Sequence, residues 1–512
     1  MAAMLVPAKS WSRAAALALA GLLPGCAGGN DAQFDPEAFA DLPTRRPNIL
    51  FILSDDHARN AYGAYGAAVR VTPNLDRLAA EGMRFDRACV GNSICAPARA
   101  TVLTGLHSHA HGIVDNSGVF DGGMQTFPQL LQAGGYQTAL IGKWHLKSDP
   151  TGFDHWEVLR GQGPYYNPRL LTPDGDRDYQ GYTTEVLTDR ALAWLEDKRE
   201  SGKPFLLCYQ HKAPHRRWQP GPRQFGMFEG VEIPEPPTLF DTGVTRARGF
   251  HAQEMTIREH LFPEDLKLVP PGNLTDEQLA LWEQAYAERQ RILESGELEG
   301  EELVRFKYRC YQEDYLASVS AMDDGVGQVL DWLDANGLAD NTLVVYMGDQ
   351  GFYLGEHGWY DKRWMYEESF GTPLVMRWPG VVSAGSADTN LVQNIDIAPT
   401  LLEAAGVAAE QPMHGESLLP LLRGETPPTW RDALYYRYYE SEGPHKVAKH
   451  YGIATAHEKL IHYPELGEWE YFDLREDPLE MDNRYGEPGL EARIAELESE
   501  LYRLQASYGD AP

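Results

Sequence analysis

Residues 49–57 read ILFILSDDH, an unbroken apolar run closed by a serine, two acids and a histidine. An apolar run without alternation suits a strand buried on both faces, inside a sheet covered by helices on each side. The same grammar returns three times. Residues 138–141 (TALI) lead into Gly142-Lys143-Trp144-His145, and residues 205–209 (FLLCY) into Gln210-His211-Lys212-Ala213-Pro214-His215. Residues 343–347 (LVVYM) lead into Gly348-Asp349-Gln350-Gly351, and 374–376 form a further short run. Helical stretches at 74–81 and 325–333 fall between them, so the expected fold is α/β with a mainly parallel or mixed central sheet flanked by helices. Open α/β sheets bind ligands outside the carboxyl ends of their strands. Four such strands deliver acids, lysines and histidines to one rim.

The chain has 512 residues, 43% of them hydrophobic and 23% charged, which is globular composition and enough material for a large domain and a smaller one. Residues 1–26 read as a targeting segment: Lys9 and Arg13 precede an apolar stretch over 14–23 too short to span a bilayer, and Leu23-Pro24-Gly25-Cys26 closes it. That ending resembles a bacterial lipoprotein signal, which implies cleavage before Cys26, a lipid on that cysteine and export to the periplasm or cell surface. Residues 27–46 read as a tether. The large domain is expected over 47–428, with an insertion at 216–309 that is first Pro-rich and then charged and helical. Over 429–512, aromatic strand-like segments at 434–439, 451–455, 459–463 and 469–472 precede a helix at 490–504, which predicts a small antiparallel sheet with one helix.

Formal net charge is −30. An acidic surface argues against nucleic acid as a partner, because neutralising phosphates needs a basic one. It also repels anionic substrates at long range, so any anion site must be locally basic. Apart from Cys26 the cysteines are Cys89, Cys95, Cys208 and Cys310. If Cys95 is reserved for chemistry, at most one disulfide fits, and buried free thiols are the simpler reading.

Residues 92–105 (NSICAPARATVLTG) place Cys95 just before a helix that Pro97 opens and Gly105 ends. Free N–H groups and the positive end of the helix dipole would face an anion there, with Arg99 about one turn further in. A thiolate of lowered pKa is one reading. Asp55, Asp56, Asp349 and Gln350 supply hard oxygen ligands from two strand ends, a set that suits Ca²⁺ or Mg²⁺ rather than zinc. A thiol is a poor companion for such an ion, so Cys95 is expected to act as something other than a thiol.

These motifs resemble the formylglycine-dependent sulfatases of the alkaline phosphatase superfamily. Their C-x-P-x-R signature is matched by Cys95, Pro97 and Arg99, and the resemblance runs from Arg46-Pro47-Asn48 to Asn483. It implies an alkaline phosphatase-like fold and a maturation enzyme that oxidises Cys95 to formylglycine. One hydroxyl of the hydrated aldehyde then attacks sulfur and the other later expels sulfate. Asp55, Asp56, Asp349 and Gln350 match the calcium ligands, with Gln350 standing where many relatives have Asn. Lys143 and His145 match the K-x-H element, His215 the A-P-H element, and Lys362 the lysine after G-E-H-G-W. By the resemblance Arg99, Lys143 and Lys362 stabilise sulfate charge, His145 handles the hydrate proton, and His215 protonates the departing alcohol. Lys212 is expected at the rim; His107, His109 and His111 pack at the helix end; Glu356 and His357 brace their loop.

Finer likenesses, at Asn116, 142–154, 211–216 and 355–363, resemble bacterial N-acetylglucosamine-6-sulfatases and imply a sulfated carbohydrate substrate, with 6-sulfated N-acetylglucosamine of mucin or glycosaminoglycan first. Asp361, Arg363 and His450 are expected to read sugar hydroxyls. Three alternatives remain at this point: a sulfatase for another sulfated carbohydrate, a phosphatase or phosphonate hydrolase of the same superfamily, and a non-catalytic glycan-binding lipoprotein.

Overall fold

All seven residues of the first strand, β1 (Asn48–Ser54), are buried. Leu50 and Ile52 enter one hydrophobic core, while Ile49, Phe51 and Leu53 enter another. Successive side chains of a strand point to opposite faces, so an apolar run without alternation is what a strand between two cores requires. The computed structural model describes residues 45–441 and 443–510. The signal segment at 1–26, and all of the tether except Arg45 and Arg46, lie outside the described residues.

Nine more strands complete the main sheet: β2 (Met83–Phe85), β3 (Gln137–Lys143), β4 (His155–Leu159), β5 (Arg169–Leu171), β6 (Arg177–Asp178), β7 (Phe205–Gln210), β8 (Thr342–Gly348), β9 (Leu374–Arg377) and β10 (Ser386–Asp388). Their order is β10-β2-β9-β8-β1-β7-β3-β4-β5-β6. The central strands β8, β1, β7, β3 and β4 are parallel. Strand β9 runs antiparallel to β8, as do β5 to β4 and β6 to β5, so the sheet is mixed. Helices α1 (Pro73–Glu81), α3 (Thr183–Ala193) and α5 (Gly300–Ala335) contribute to the core holding Leu50. Helices α2 (Cys95–Thr104) and α6 (Ile397–Ala405) contribute to the core holding Phe51. Because β1, β3, β7 and β8 are parallel, their carboxyl ends open on one edge.

The composition break near residue 309 is not a structural boundary. Helix α4 (Asp276–Ser295) is followed by α5, a single helix of 36 residues that begins inside the expected insertion and runs past it. The stretch expected to be helical at 325–333 is its last part. The small sheet, β11 (Ala433–Tyr438), β12 (His450–Thr455), β13 (Glu458–Tyr463) and β14 (Glu468–Asp473), is antiparallel throughout. Helix α7 (Glu491–Tyr508) covers it with Ile494, Leu497, Leu501 and Leu504, one stripe at helical spacing. The sheet also reaches the catalytic rim. The Tyr436 hydroxyl donates to the Arg363 carbonyl at 2.6 Å and lies 3.4 Å from the Ser93 amide.

Cys89, Cys95, Cys208 and Cys310 are free and buried. None of the described helices is long and apolar enough to cross a membrane.

Candidate active site

Asp55 and Asp56 follow β1 directly, and Asp349 and Gln350 follow β8; all four are fully buried. The loops are tied to one another by backbone. The Asp349 amide donates to Ser54 at 3.0 Å, and the Asp55 amide to Ala213 in the loop after β7 at 3.2 Å. Between β3 and β7 the approach is so close that a Cβ on Gly142 would lie 1.8 Å from the Gln210 carbonyl, and Gly142 has φ +116°. Only glycine fits there, and it sets Lys143 at the strand end. Asp56, His145, Asp361 and Arg363 also carry positive φ, a conformation uncommon for non-glycine residues.

Carboxylate oxygens of Asp55, Asp56 and Asp349 lie within 4.8 Å of one another. Asp349 Oδ1 accepts the amides of Asp56 (3.0 Å) and Gln350 (3.1 Å). The Gln350 side-chain amide donates to Asp56 Oδ1, which leaves its carbonyl oxygen turned the other way. That Gln350 Oε1, with Asp55 Oδ1 and Asp56 Oδ2, is buried and makes no hydrogen bond. Orphaned buried acceptors are costly, and a hard divalent cation is the ligand that satisfies three such oxygens at once. The titration of the group agrees with this. Burial pushes Asp56 up to about 6 and Asp349 up to about 7, each with Asp55 adding to the rise. Burial also acts upward on Asp55, but Lys143, His215, Arg99 and Lys362 together carry it well below the usual carboxylate range. One carboxylate ionises freely and two resist, as expected of acids crowded without their counter-ion.

Cys95 is the first residue of α2, one position inside the helix rather than just before it, and is fully buried. Lys362 Nζ lies 3.2 Å from its sulfur and Gln350 Nε2 3.9 Å. Burial pushes the thiol up to about 12 even though Lys143 and Lys362 act the other way. It therefore stays protonated at neutral pH, which argues against a thiolate nucleophile. The cations around it are anchored on the acids. Lys143 pairs with Asp55 and Lys362 with Asp56. Arg99 lies 3.1 Å from Asp349 and 3.6 Å from Asp55, and donates to the Lys143 carbonyl (2.8 Å) and Gln210 Oε1 (3.0 Å).

His215 Nδ1 faces the Arg216 carbonyl at 2.6 Å, so that nitrogen carries the proton and Nε2, 3.7 Å from Asp56, presents its lone pair. Burial holds His215 well below its ordinary value, so the ring is neutral. His145 is held down to about 2 by burial and then by Lys143, and its buried Nδ1 has no partner. The structure thus brings Asp55, Asp56, Asp349, Gln350, Cys95, Arg99, Lys143, His145, His215 and Lys362 to one place.

Beside Lys362, Asp361 accepts from Arg363 at 3.1 Å and lies 3.3 Å from His445, while Arg363 also pairs with Glu440 at 2.7 Å. His450 is not part of this group. Its Nδ1 is 2.9 Å from the Ala448 carbonyl, and its ring is 1% exposed, stacked among Trp364, Tyr436 and Tyr438 with Tyr463 tilted against it. It is enclosed by four rings, and its buried Nε2 has no hydrogen-bond partner. His445 is the small-domain histidine that meets Asp361, and nothing in its local sequence marks it. Lys212 also departs from expectation: it is 5% exposed rather than at the rim, and burial brings it down to about 7. The other histidines behave as expected of packing groups. His107 and His109 lie against His414, and His111 meets Thr101 at 3.1 Å. His357 Nδ1 pairs with Asp241 at 2.8 Å, and Glu356 accepts from Asn60 at 2.9 Å.

Residues 47–407 match the sulfatase family, and residues 355–507 match the family described as N-sulphoglucosamine sulphohydrolase, C-terminal. The chain is 44% identical over 493 residues to an N-acetylglucosamine-6-O-sulfatase of Bacteroides thetaiotaomicron, covering 91% of this chain and 88% of that protein. It is 28% identical over 429 residues to the N-acetylglucosamine-6-sulfatase of Homo sapiens, covering 78% of this chain and 68% of that protein. A protein solved in complex with its substrate D-glucosamine-2-N,6-O-disulfate superposes with a TM-score of 0.89 at 43% identity, over 91% of this chain and 99% of that one. The chain belongs to the sulfatase family.

Proposed function

We propose that this sulfatase removes the 6-O-sulfate of N-acetylglucosamine units in mucin-type or glycosaminoglycan glycans, with Cys95 as the precursor of a formylglycine and Ca²⁺ as the metal. The observation that carries the chemistry is the convergence of Lys143, Lys362 and Arg99 on a fully buried Cys95 beside orphaned carboxylate oxygens. The sugar is supported by the likeness to the Bacteroides thetaiotaomicron enzyme and to the disulfate complex.

Asp55, Asp56, Asp349 and Gln350 would hold the cation, which when bound acidifies a neighbouring hydroxyl and neutralises sulfate oxygens. Formylglycine, made from Cys95 by a maturation enzyme, supplies as its hydrate the hydroxyl that attacks sulfur. The chain's own residues do the rest. Lys362, beside the Cys95 side chain, and Arg99, in the helix turn behind it, draw the sulfate oxygens into the site, where their fixed positive charge meets the charge that builds as the ester bond breaks. With its lone pair at Nε2, His215 would take the proton given up as the ester is attacked and return it to the departing sugar oxygen. His145, also neutral, would accept the proton of the second hydroxyl as sulfate is expelled.

A panel of sulfated sugars tests the substrate: free sulfate is measured from N-acetylglucosamine 6-sulfate, its 3-sulfate isomer, galactose 6-sulfate and N-sulfoglucosamine 6-sulfate. Fastest release from a 6-sulfated glucosamine is expected, and preference for galactose 6-sulfate or the 3-sulfate would overturn the reading. Asp361 and Arg363 are proposed to read the sugar hydroxyls. Asp361→Asn should then lower kcat/KM on the sugar by about 10- to 100-fold, the effect of one charge-assisted hydrogen bond, while a small aryl sulfate loses little. Equal losses on both substrates would leave Asp361 a brace for Lys362.

We also propose that the protein is an exported lipoprotein anchored through Cys26, on the strength of the Leu23-Pro24-Gly25-Cys26 ending. Labelled palmitate should enter the wild type in its host and not a Cys26→Ala variant; a label that persists in the variant would contradict the anchor.

A further inference from the structure

Five lysines are buried in the described residues: Lys143, Lys212, Lys267, Lys362 and Lys459. Four have carboxylates. Lys143 lies on Asp55 and Lys362 on Asp56, Lys267 is 3.0 Å from Asp314, and Lys459 is 2.9 Å from Glu367 and 2.7 Å from Glu480. Lys212 has none: among the described residues its ammonium makes no hydrogen bond or ion pair, and it rests 4.7 Å from the centre of the Tyr165 ring. A cation set on an aromatic face with no carboxylate beside it is free to meet an anion that enters the site, and its ammonium is not among the polar atoms sealed from solvent. Of the four, Lys143 and Lys362 belong to the candidate active site and Lys267 and Lys459 do not.

The position of Lys212 says what its missing partner is. Tyr165, on which the ammonium lies, donates from its hydroxyl to the His215 carbonyl at 2.6 Å, and the His215 amide donates to the Lys212 carbonyl at 3.0 Å. Lys212 and His215 are thus set by one tight turn, and the Asp55 amide is bonded to the same turn through Ala213. The charges that act on Lys212 are those of Lys143, Asp55, Asp56 and Cys95, the groups surrounding the reacting position.

We propose that Lys212 is a substrate contact, donating to an oxygen of the ester's sulfate group from the side on which His215 meets the leaving oxygen. This rests on the sulfatase reading but not on which sugar carries the ester. It adds a fourth cation to Arg99, Lys143 and Lys362 in the anion site, and it explains why this one has no partner until substrate arrives. A bound sulfate would supply the anionic partner that no described residue gives Lys212.

Lys212→Met separates this role from a structural one, because methionine keeps the length and packing of the side chain and removes the charge. In the matured, calcium-loaded enzyme, Lys212→Met should melt at the wild-type temperature or above it, since an unpaired buried charge has gone. Its Kd for inorganic sulfate, read by calorimetry, should rise by about tenfold or more, as expected for loss of a charge-assisted hydrogen bond. The value of kcat/KM on a sulfate ester should fall with it, and Lys212→Arg should recover part of both. Unchanged sulfate affinity in Lys212→Met would overturn the proposal, whatever happens to the rate. If that variant does not fold, the wild type decides: sulfate should protect Lys212 from acylation by acetic anhydride, read by peptide mass spectrometry, and equal labelling with and without sulfate would overturn the proposal. Because inorganic sulfate carries no sugar, failure of the N-acetylglucosamine reading would leave these outcomes intact.

Discussion

Cys95→Ala should abolish sulfate release from every ester, a fall of roughly 10⁵- to 10⁶-fold of the size seen when a covalent nucleophile is removed. The fold should survive. Alanine suits the first position of α2, and the polar partners of the lost sulfur, Lys362 and Gln350, are each held by Asp56 as well. A variant with a wild-type melting temperature and no turnover is therefore the expected result. Residual activity above a few per cent would mean that the hydrolytic group is not made from Cys95. Because the thiol is pushed up to about 12 by burial, unmatured protein should behave like the variant, and activity should track the fraction of Cys95 converted.

Chelation is the second large effect. Asp55 Oδ1, Asp56 Oδ2 and Gln350 Oε1 have no hydrogen bonds to fall back on, so the protein stripped of its cation keeps orphaned acceptors beside two acids that resist ionising. Removing divalent ions should lower the rate by about 100-fold or more, the scale of losing a preorganised electrostatic contact. It should also lower the melting temperature, because an ion bound only by the folded state at 100 times its Kd adds about 2.7 kcal/mol. Asp56→Asn sharpens the test. Burial raises Asp56 to about 6, so at neutral pH it is still mostly ionised and paired with Lys362, and a neutral amide in its place should lower the melting temperature of the metal-free protein as well. What the variant should lose is the rise in melting temperature on adding Ca²⁺. If Ca²⁺ stabilises wild type and Asp56→Asn equally, the cation binds elsewhere.

Where the sequence was legible, it was because one residue type had one physical reason to be there. The run at 49–53 has no polar position to offer water, so both faces had to be covered, and the acids that follow had to lie at a sheet edge. The Cys95 helix was legible for the same reason, through Pro97 and Gly105, whose φ is +68°. Other features depended on contacts that no local pattern encodes. Helix α5 begins with the charged stretch at 300–309, which reads as surface insertion, yet Val304 and Tyr308 are already buried and the helix continues without a break. His450 was expected to read a sugar hydroxyl together with Asp361 and Arg363; it is the first residue of β12, and the ring of Trp364, from the catalytic domain, stacks on it. Lys212 looked like a rim charge until Tyr165, 47 positions earlier in the chain, was found to lie under its ammonium. His445 has no motif at all and is identified only by its distance to Asp361.

The most direct measurement is a mass spectrum of the peptide containing Cys95, taken from protein isolated from its native host. The account predicts that the cysteine is replaced by an aldehyde that reacts with a hydrazide, in the same preparation that releases sulfate from N-acetylglucosamine 6-sulfate. A preparation that releases sulfate while this peptide carries only an intact thiol would contradict it.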